Sequence, residues 1–487
     1  MASLGECMNS FNSNGTTYPL YDWQSDSIEK WKANNSRGII QATTGSGKSR
    51  VAHALIVEKL QESDGVVTVL VPQVSLLKQW ADALDEILGF EVGRCGGGKK
   101  KVSQKINVMV INTALKIMPL QTYTNHLLIA DECHRMAAPS FQKIFQVENH
   151  SCLGLSATPE REDSGLEVLT QLIGEVIYEY GYEKALDEGV ISDFEVCAVQ
   201  IPLTSIERVE HDKAHRLIVN LSKILSSRYG RRGNLIITCQ KLLANGTSDK
   251  DVGAFLVAIQ RRKEILNSAH NRFRALDLLL HQHRTGKIMV FHESIDDISR
   301  LEKRFHYFNP QTYHSKKTPK QRRIALETFS SEPQGLLLSC KALVEGVDIP
   351  DADVGIMVSG TRSVRSRIQT IGRLLRKGGA SQPVIYLFYV PDTSDVKSLT
   401  NLLNKGFPQS KMRFMRYYPD QQKIQDIVVD IKNLLKTQSF RKPSHPQTCK
   451  KCGRTFKSKV GLNNHHCFTY DPNMTFDEFL LGFMSKE

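Results

Sequence analysis

A short apolar run, a loop with two glycines and an amphipathic segment follow one another near the start of the chain. The run IIQ (39–41) leads into ATTGSGKS (42–49), and VAHALIVEKL comes directly after it. Strand, glycine-containing loop, Lys-Ser and helix is the order of a phosphate-binding P-loop. Gly45 and Gly47 let the backbone approach phosphate oxygens closely, and the helix N-terminus directs its amide groups at them. The chain is therefore constrained to contain an α/β nucleotide-binding unit.

The last two residues of this loop carry the chemistry of nucleotide binding. Lys48 is predicted to neutralise charge on the β- and γ-phosphates, and the hydroxyl of Ser49 to ligate Mg²⁺. The loop begins with Ala42, where the strict P-loop pattern has glycine. The predicted ATP-binding residues of the loop are Ala42, Thr43, Thr44, Gly45, Ser46, Gly47, Lys48 and Ser49.

An acidic motif ends an apolar run further along the chain. LLIADECH (127–134) closes a predicted strand with two carboxylates. Asp131 is predicted to hold Mg²⁺, and Glu132 to polarise the water that attacks the γ-phosphate. Together with the P-loop, this pair predicts ATP hydrolysis.

Short apolar runs alternate with helical stretches in residues 20–200 and again in 270–435. Such runs, separated by helices, are typical of parallel strands that are buried on both faces. The sequence therefore predicts an α/β fold of two lobes, each a parallel sheet flanked by helices. The predicted strands are 38–41, 66–72, 108–112, 127–131 and 152–156 in the first lobe, and 287–291, 335–339, 354–358 and 384–389 in the second.

The segment between the lobes, residues 203–267, has a different composition. It is rich in Arg, Lys, Leu and Ser and contains one strand-like apolar run, 235–238. The rest is predicted to be helical, with a basic loop at SSRYGRRGN (226–234) between helices.

Charge and hydropathy narrow the class of protein. The chain has 487 residues, and 64 Lys and Arg against 51 Asp and Glu give a net charge of +13. This balance favours a polyanionic partner. No apolar run approaches the ~18 residues that a membrane span needs, so no membrane partner is expected. The N-terminus lacks a secretory pattern, so an intracellular location is expected.

Three of the ten cysteines cluster near the C-terminus. Cys449 and Cys452 have the C-x₂-C spacing of a zinc site, and His465, His466 and Cys467 follow further on. Tetrahedral Zn²⁺ needs four ligands, of which the last is either His466 or Cys467. Cys467 is preferred, because neighbouring helix positions do not easily converge on one ion. The predicted zinc ligands are Cys449, Cys452, His465 and Cys467.

The same region concentrates positive charge. Residues 436–470 contain eight Lys or Arg residues and no Asp or Glu. A finger with this balance favours contact with nucleic-acid phosphates over an acidic protein surface, although both partners fit.

In their order along the chain, these motifs resemble those of the superfamily 2 nucleic-acid helicases. YDWQ (21–24) is similar to the adenine-reading segment, which puts Gln24 at the position of the base-contacting glutamine. VLVPQVSLLKQW (69–80) and INTAL (111–115) resemble the motifs that hold the backbone of the tracking strand. DECH resembles the helicase box, and LSATP (155–159) the motif that couples hydrolysis to strand movement.

The resemblance continues in the second half of the chain. CKALVEGVDIP resembles the fifth helicase motif, which implies that Gly346 and Asp348 face ATP or the strand. QTIGRLLR matches the sixth motif, which implies arginine fingers at Arg373 and Arg376. Such fingers stabilise the charge that develops on the γ-phosphate during transfer.

A narrower resemblance is to the XPB-like DNA helicases. An Arg-Glu-Asp run (161–163) closely follows LSATP as in that branch, and the basic helical segment stands where XPB relatives carry a thumb-like DNA grip. This resemblance implies DNA in preference to RNA and movement in the 3′–5′ direction. The box is DECH where XPB has a valine form. The short stretch before Gln24 leads us to expect no N-terminal damage-recognition domain.

The sequence thus predicts an ATP-dependent DNA helicase or translocase that uses ATP, Mg²⁺ and Zn²⁺. The alternatives are an RNA helicase with the same motor and a zinc-dependent nucleic-acid-binding adaptor with a degenerate motor. The predicted domains are an N-terminal tail (1–17), a first RecA-like lobe (18–200), a basic helical insert (201–268), a second RecA-like lobe (269–436), a zinc-finger-like module (437–470) and a C-terminal tail (471–487).

Overall fold

A computed structural model gives the architecture of most of the chain. It describes residues 9–118, 125–146, 151–157, 165–230, 234–340, 352–359, 382–404 and 407–431, and the short strands 447–448 and 455–456. Residues 1–429 form one unit and residues 430–487 another. The described strands of the first unit form a hairpin and two eight-stranded sheets.

A β-hairpin precedes the first sheet. Strands β1 (Asn9–Ser13) and β2 (Thr16–Leu20) pair antiparallel. Asn14 and Gly15 between them have positive φ angles of 48° and 73°, as a two-residue type I′ turn requires. Residues 9–17 of the predicted N-terminal tail therefore belong to a β-hairpin.

The first sheet has the strand order β10-β3-β9-β8-β4-β7-β5-β6 and is parallel except for the edge pair β5–β6. All six residues of β9 are buried, as expected for a parallel strand covered on both faces. The strands are β3 (Arg37–Ala42), β4 (Gly65–Val71), β5 (Gly93–Gly96), β6 (Lys99–Lys101), β7 (Ile106–Val110), β8 (Asn125–Asp131), β9 (Ser151–Ser156) and β10 (Val176–Tyr180).

Seven described helices accompany this sheet. Ile39, Leu70 and Leu128 on its strands share a buried core with Ala114 and Leu169 on two of these helices. The helices are α1 (Asp22–Ala33), α2 (Lys48–Gln61), α3 (Val74–Leu88), α4 (Ile111–Ile117), α5 (Pro139–Gln142), α6 (Gly165–Leu172) and α7 (Tyr182–Asp187).

The second sheet has the order β13-β14-β12-β15-β16-β11-β17-β18, again parallel except at one edge, β17–β18. Its strands are β11 (Glu195–Gln200), β12 (Lys287–His292), β13 (Gln311–Tyr313), β14 (Gly335–Cys340), β15 (Val354–Met357), β16 (Val384–Tyr389), β17 (Met412–Tyr418) and β18 (Lys423–Asp426). Its helices are α11 (His270–Gln282), α12 (Ile295–Arg304), α13 (Pro319–Ser331) and α14 (Ser394–Asn404).

Strand β11 lies in the second sheet, although the predicted boundary at residue 200 puts it in the first lobe. It pairs with β16 on one side and β17 on the other, and Val199 belongs to the core of the second sheet. The chain therefore enters the second sheet before it forms the helical insert. Pairing over such a distance leaves no local signal in the sequence.

The insert consists of α8 (Ser205–Tyr229), α9 (Leu235–Ala244) and α10 (Lys250–Asn267). The strand predicted at 235–238 is wrong, because these residues form the first turn of α9. The side chain of Asn234 caps this turn by accepting a 3.0 Å hydrogen bond from the N–H of Ile236. Cys239, Leu221 and Phe255 then join the small core of the insert. The helical character predicted for the rest of the insert is confirmed in the described residues, but α8 continues through residues 226–229, which the sequence predicts as part of the basic loop.

A buried ion pair closes the second lobe. Arg272 at the start of α11 is fully buried and pairs with Asp395 at the start of α14. Its Nε–H also donates to the carbonyl of Leu266 at 2.7 Å, and its remaining N–H groups donate to the carbonyls of Val358 and Phe388. The guanidinium therefore ties two helices to the ends of two strands.

The second unit is described at residues 430–431 and at two short strands. β19 (Gln447–Thr448) and β20 (Thr455–Phe456) pair antiparallel, with Thr448 opposite Thr455. The predicted zinc ligands Cys449, Cys452, His465 and Cys467 lie outside the described residues. None of the helices described in either unit is long and apolar enough to cross a membrane.

Candidate active site at the edge of the first sheet

The P-loop has the conformation that the sequence predicts. β3 ends at Ala42, and α2 begins at Lys48. Gly45 and Gly47 have φ angles of 85° and 86°, a region that side chains strain to occupy. A Cβ atom on Gly47 would also lie 2.9 Å from Nε2 of Gln24. Glycine at these positions therefore permits both the turn and the close packing of α1 on the loop.

The loop is held by hydrogen bonds around the carbonyl of Thr43. The hydroxyl of Ser46 donates to this oxygen at 2.7 Å, and Nζ of Lys48 lies 3.5 Å from it. Thr43 and Ser46 are buried, while Ser49 is exposed. These hydrogen bonds hold the loop together, with its Lys-Ser end at the start of α2.

Gln24 braces the P-loop from α1. Its Oε1 accepts a 2.9 Å hydrogen bond from the N–H of Tyr21, and its Nε2 donates to the carbonyl of Gly47 at 3.1 Å. The side chain is 2% exposed. The structure therefore brings Gln24 to the nucleotide loop, and its predicted contact with the base stays a prediction.

The predicted acidic pair lies at the carboxyl end of β8, at the same end of the sheet as the P-loop. Parallel strands β3, β9 and β8 are successive neighbours, so their carboxyl ends lie side by side. Oδ1 of Asp131 accepts a 3.0 Å hydrogen bond from the N–H of Glu132. Glu132 itself has left-handed backbone angles of φ 50° and ψ 45°. Such strain in a residue other than glycine is typical of functional sites.

A histidine links this pair to the next strand. Nδ1 of His134 lies 3.3 Å from Oε2 of Glu132 and 3.1 Å from Oγ of Ser156, at the end of β9. His134 and Ser156 are buried, and Glu132 is partly exposed. The side chain of His134 therefore connects Glu132 of the DECH motif with Ser156 of the LSATP motif.

Two aromatic side chains that the sequence analysis did not single out complete the site. Nε1 of Trp80, on α3, donates a 2.8 Å hydrogen bond to Oδ2 of Asp131. The ring of His53, on α2, meets that of Trp80 edge-on, with 5.2 Å between centroids. Trp80 is the last residue of a segment whose resemblance pointed to the nucleic-acid strand, so its sequence context gave no reason to connect it with Asp131.

A third aromatic group joins the P-loop to the second lobe. The hydroxyls of Tyr182 and Thr44 lie 3.4 Å apart. The Tyr182 ring packs on Phe194, directly before β11, and on Phe407, with centroid distances of 6.2 and 5.4 Å. A residue at the exit from the first lobe therefore touches both the nucleotide loop and the second lobe.

The donor atoms at this edge suit magnesium. A hydroxyl from Ser49 and a carboxylate from Asp131 are hard oxygen ligands, and Mg²⁺ in nucleotide sites typically takes one or two such groups together with phosphate oxygens. No cluster of three or more His, Cys, Asp or Glu side chains that could hold a metal occurs among the described residues. Gly346, Asp348, Arg373 and Arg376 lie outside those residues.

Two family descriptions match separate parts of the chain. "Type III restriction enzyme, res subunit" matches residues 17–161, and "Helicase conserved C-terminal domain" matches residues 271–378. The first match contains the P-loop and the acidic pair, and the second begins within α11.

Named relatives resemble the chain over most of its length. The DNA 3′-5′ translocase XPB2 of Sulfurisphaera tokodaii is 28% identical over 360 residues, which is 74% of this chain and 79% of the relative. The DNA 3′-5′ helicase XPB of Kineococcus radiotolerans is 23% identical over 390 residues, or 78% of this chain and 61% of the relative.

Solved structures share the fold. The Pyrococcus furiosus Hef helicase domain superposes with a TM-score of 0.53 at 16% identity, over 78% of this chain and 98% of that domain. The Type ISP restriction-modification enzyme LlaBIII bound to DNA gives a TM-score of 0.56 at 14% identity, over 84% of this chain and 32% of that one. With two RecA-like lobes, a match to the helicase C-terminal domain and XPB-like relatives, this chain is similar to the superfamily 2 helicases.

Proposed function

We propose that the protein is an ATP-dependent DNA helicase or translocase that moves in the 3′–5′ direction. The P-loop at the same end of the sheet as the Asp131–Glu132 pair is the observation that carries the ATPase function. The names of the XPB-like relatives support DNA as the substrate and the direction of movement. The insert, residues 201–268, contains 12 Lys or Arg residues against 6 Asp or Glu residues, an excess of positive charge that favours contact with phosphates.

Each residue of the site has a chemical task in this proposal. Lys48 neutralises charge on the β- and γ-phosphates, and the backbone amides of the P-loop bind their oxygens. Ser49 and Asp131 hold Mg²⁺, which when bound withdraws charge from the phosphate oxygens. Glu132 orients the attacking water and accepts its proton, and His134 keeps the Glu132 carboxylate in place.

The second lobe completes the site when it closes on the first. We assign Arg373 and Arg376 as arginine fingers, and Gly346 and Asp348 as contacts to ATP or the strand. Gln24 is assigned to the adenine base. These roles follow the motif resemblance, and closure of the lobes over ATP moves the strand grips by one step per cycle.

ATPase assays with two variants test this function. Lys48→Ala and Glu132→Gln are expected to lower DNA-stimulated turnover by at least about 100-fold, because each removes a group that acts on the transferred phosphate. Glu58→Gln is the matched control, since Glu58 lies on α2 but forms an exposed pair with Lys32. Normal turnover in either site variant contradicts the mechanism.

The same assay with matched DNA and RNA strands shows which nucleic acid is the substrate. DNA is expected to stimulate turnover more strongly. Stronger stimulation by RNA would replace the proposal with an RNA helicase, and no turnover with either would favour the non-enzymatic adaptor. A strand-displacement assay on duplexes with 3′ or 5′ overhangs reports the direction of movement.

We also propose that the C-terminal unit binds one Zn²⁺ through Cys449, Cys452, His465 and Cys467. The pairing of Thr448 with Thr455 supports this proposal, because Cys449 and Cys452 come between these two residues in the sequence. A hairpin that carries two cysteines, followed by a segment with histidine, is the order of a small ββα finger. The basic residues around it would contact phosphates.

Metal analysis of purified reduced protein tests the finger. One zinc per chain is expected, and His465→Ala should lower that content while His445→Ala, in the preceding segment, should not. Absence of zinc from the wild-type protein contradicts the proposal. Deletion of residues 438–487 is expected to weaken DNA binding and to flatten its salt dependence, because fewer counterions are released.

A further inference from the structure

Trp80 contacts the predicted magnesium ligand from a helix that belongs to a different motif. Its indole Nε1–H donates to Oδ2 of Asp131 at 2.8 Å, and its side chain is 4% exposed. The other two tryptophans make no comparable contact. Nε1 of Trp31 donates to the carbonyl of Cys152, and Nε1 of Trp23 has no partner among the described residues.

The bond fixes the plane of the carboxylate. Oδ1 of Asp131 accepts from the N–H of Glu132 at 3.0 Å, so the two oxygens are held by donors from two different elements. Each carboxylate oxygen has more than one lone pair, so an oxygen that accepts a hydrogen bond still has electrons to offer to a cation. An indole N–H is a donor only and carries no charge, so it orients the carboxylate without neutralising it.

The P-loop helix holds the indole ring in turn. His53, one turn after Ser49 on α2, meets Trp80 with an angle of 81° between the ring planes. Burial lowers the pKa of His53 to about 3, and nearby Arg50 contributes to the same effect. The imidazole is therefore neutral near pH 7 and packs on Trp80 as an apolar ring. Trp80 thus contacts both elements that supply the predicted magnesium ligands.

We infer that Trp80 is a positioning residue that orients the Asp131 carboxylate for Mg²⁺ and links it to the P-loop helix. This inference rests on the proposed ATPase function. Outer groups that hydrogen-bond to metal ligands typically contribute about 10- to 100-fold to metal affinity. Because Trp80 ends the segment predicted to hold the nucleic-acid strand, displacement of α3 by that strand would also displace the carboxylate.

Trp80→Phe tests the inference, because phenylalanine keeps an aromatic ring beside His53 and removes the N–H. Mn²⁺ replaces Mg²⁺ as the probe, and its free concentration is followed by electron paramagnetic resonance in the presence of ADP. We expect Mn²⁺ affinity to fall about tenfold. The Mg²⁺ concentration for half-maximal ATPase should rise by the same factor, and turnover at saturating Mg²⁺ should largely recover.

Trp31→Phe is the matched control. It also removes a buried indole N–H that donates a hydrogen bond, but the acceptor is the carbonyl of Cys152 at the opposite end of β9 from Ser156. Mn²⁺ affinity should match the wild type. If folded Trp80→Phe binds Mn²⁺ with the same affinity as the wild type, the inference is overturned. The proposed function is not affected by that result as long as DNA stimulates the ATPase activity of the wild type. A wild type that binds no Mn²⁺ with ADP overturns both.

A measurement on the wild-type protein covers the case in which Trp80→Phe does not fold. Indole ¹⁵N–¹H resonances are recorded with ADP alone and with ADP plus Mg²⁺, and assigned by the Trp31→Phe and Trp23→Phe variants. The Trp80 resonance is expected to shift when Mg²⁺ is added, and the Trp31 resonance to stay in place. A Trp80 resonance that does not respond to Mg²⁺ overturns the inference.

Discussion

The two large sheets each have eight strands and a single antiparallel pair at one edge, but they are assembled from the chain in different ways. Every strand of the first comes from residues 37–180. The second takes β11 from before the helical insert and the other seven strands from after it, and it places β11 between β16 and β17. All strands of the first sheet, together with the P-loop and the acidic pair, come from one continuous part of the chain. The second sheet instead depends on contacts between distant segments. The insert is thereby connected at both ends to the second lobe.

The largest expected effect concerns the ion pair that holds the second lobe together. Arg272→Leu leaves Asp395 as a buried charge without its cation, which typically costs about 3 to 5 kcal/mol. Urea unfolding followed by hydrogen exchange should show loss of protection in the second sheet before the first. Arg413→Leu breaks the more exposed pairs with Glu195 and Asp426 and should cost about 1 kcal/mol or less. Equal costs for the two variants would contradict this difference between a buried and an exposed pair.

A smaller effect tests the placement of β11. Val199→Ala removes two buried methyl groups from the core of the second sheet and should lower the free energy of unfolding by about 1 to 2 kcal/mol. Hydrogen exchange should rise in β16 and β17 and stay unchanged in the first sheet. Val69→Ala, in β4, is the counterpart and should affect the first sheet alone. Exchange that rises in β3 or β9 of the Val199→Ala variant would contradict the observed pairing.

The smallest expected effect is the pH dependence of the stability of the first lobe. The pKa of His53 is lowered from 6.5 to about 3 by burial, so protonation below pH 6.5 favours the unfolded chain. The stability that this residue contributes is complete above pH 6.5 and is lost as the pH falls toward 3. Between pH 7.5 and 5.5 we expect His53 to contribute a loss of about 1 kcal/mol, so the loss should be smaller by this amount in His53→Phe than in the wild type. Urea titrations at both pH values measure this, and the same pH slope in the variant would exclude His53 as its source.

Local patterns account for what the sequence predicted well. The nine predicted strands overlap β3, β4, β7, β8, β9, β12, β14, β15 and β16, because each is an apolar run bounded by helices. The P-loop conformation follows from Gly45 and Gly47, and the position of Asp131 from its place at the end of an apolar strand. These features depend only on residues that are close to one another in the sequence.

Features that depend on distant residues were not predictable. The run at 235–238 is apolar enough for a strand, but the Asn234 cap and packing on the insert make it helical. The sequence of β11 contains no feature that indicates which of the two sheets it joins. The bond between Trp80 and Asp131 joins side chains 51 positions apart, and only the folded sheet brings α3 and the end of β8 together.

The interleaved second sheet sets an order of events during synthesis. Once residue 180 has left the ribosome, every strand of the first sheet is available, so the first lobe can close. β11 has neither of its partners until residues 384–389 and then 412–418 have been made. At about 5 to 20 residues per second, that interval is about 10 to 40 s. During this time β11 is an apolar segment without its partners in the second sheet, and we expect chaperones that bind exposed apolar segments to bind it.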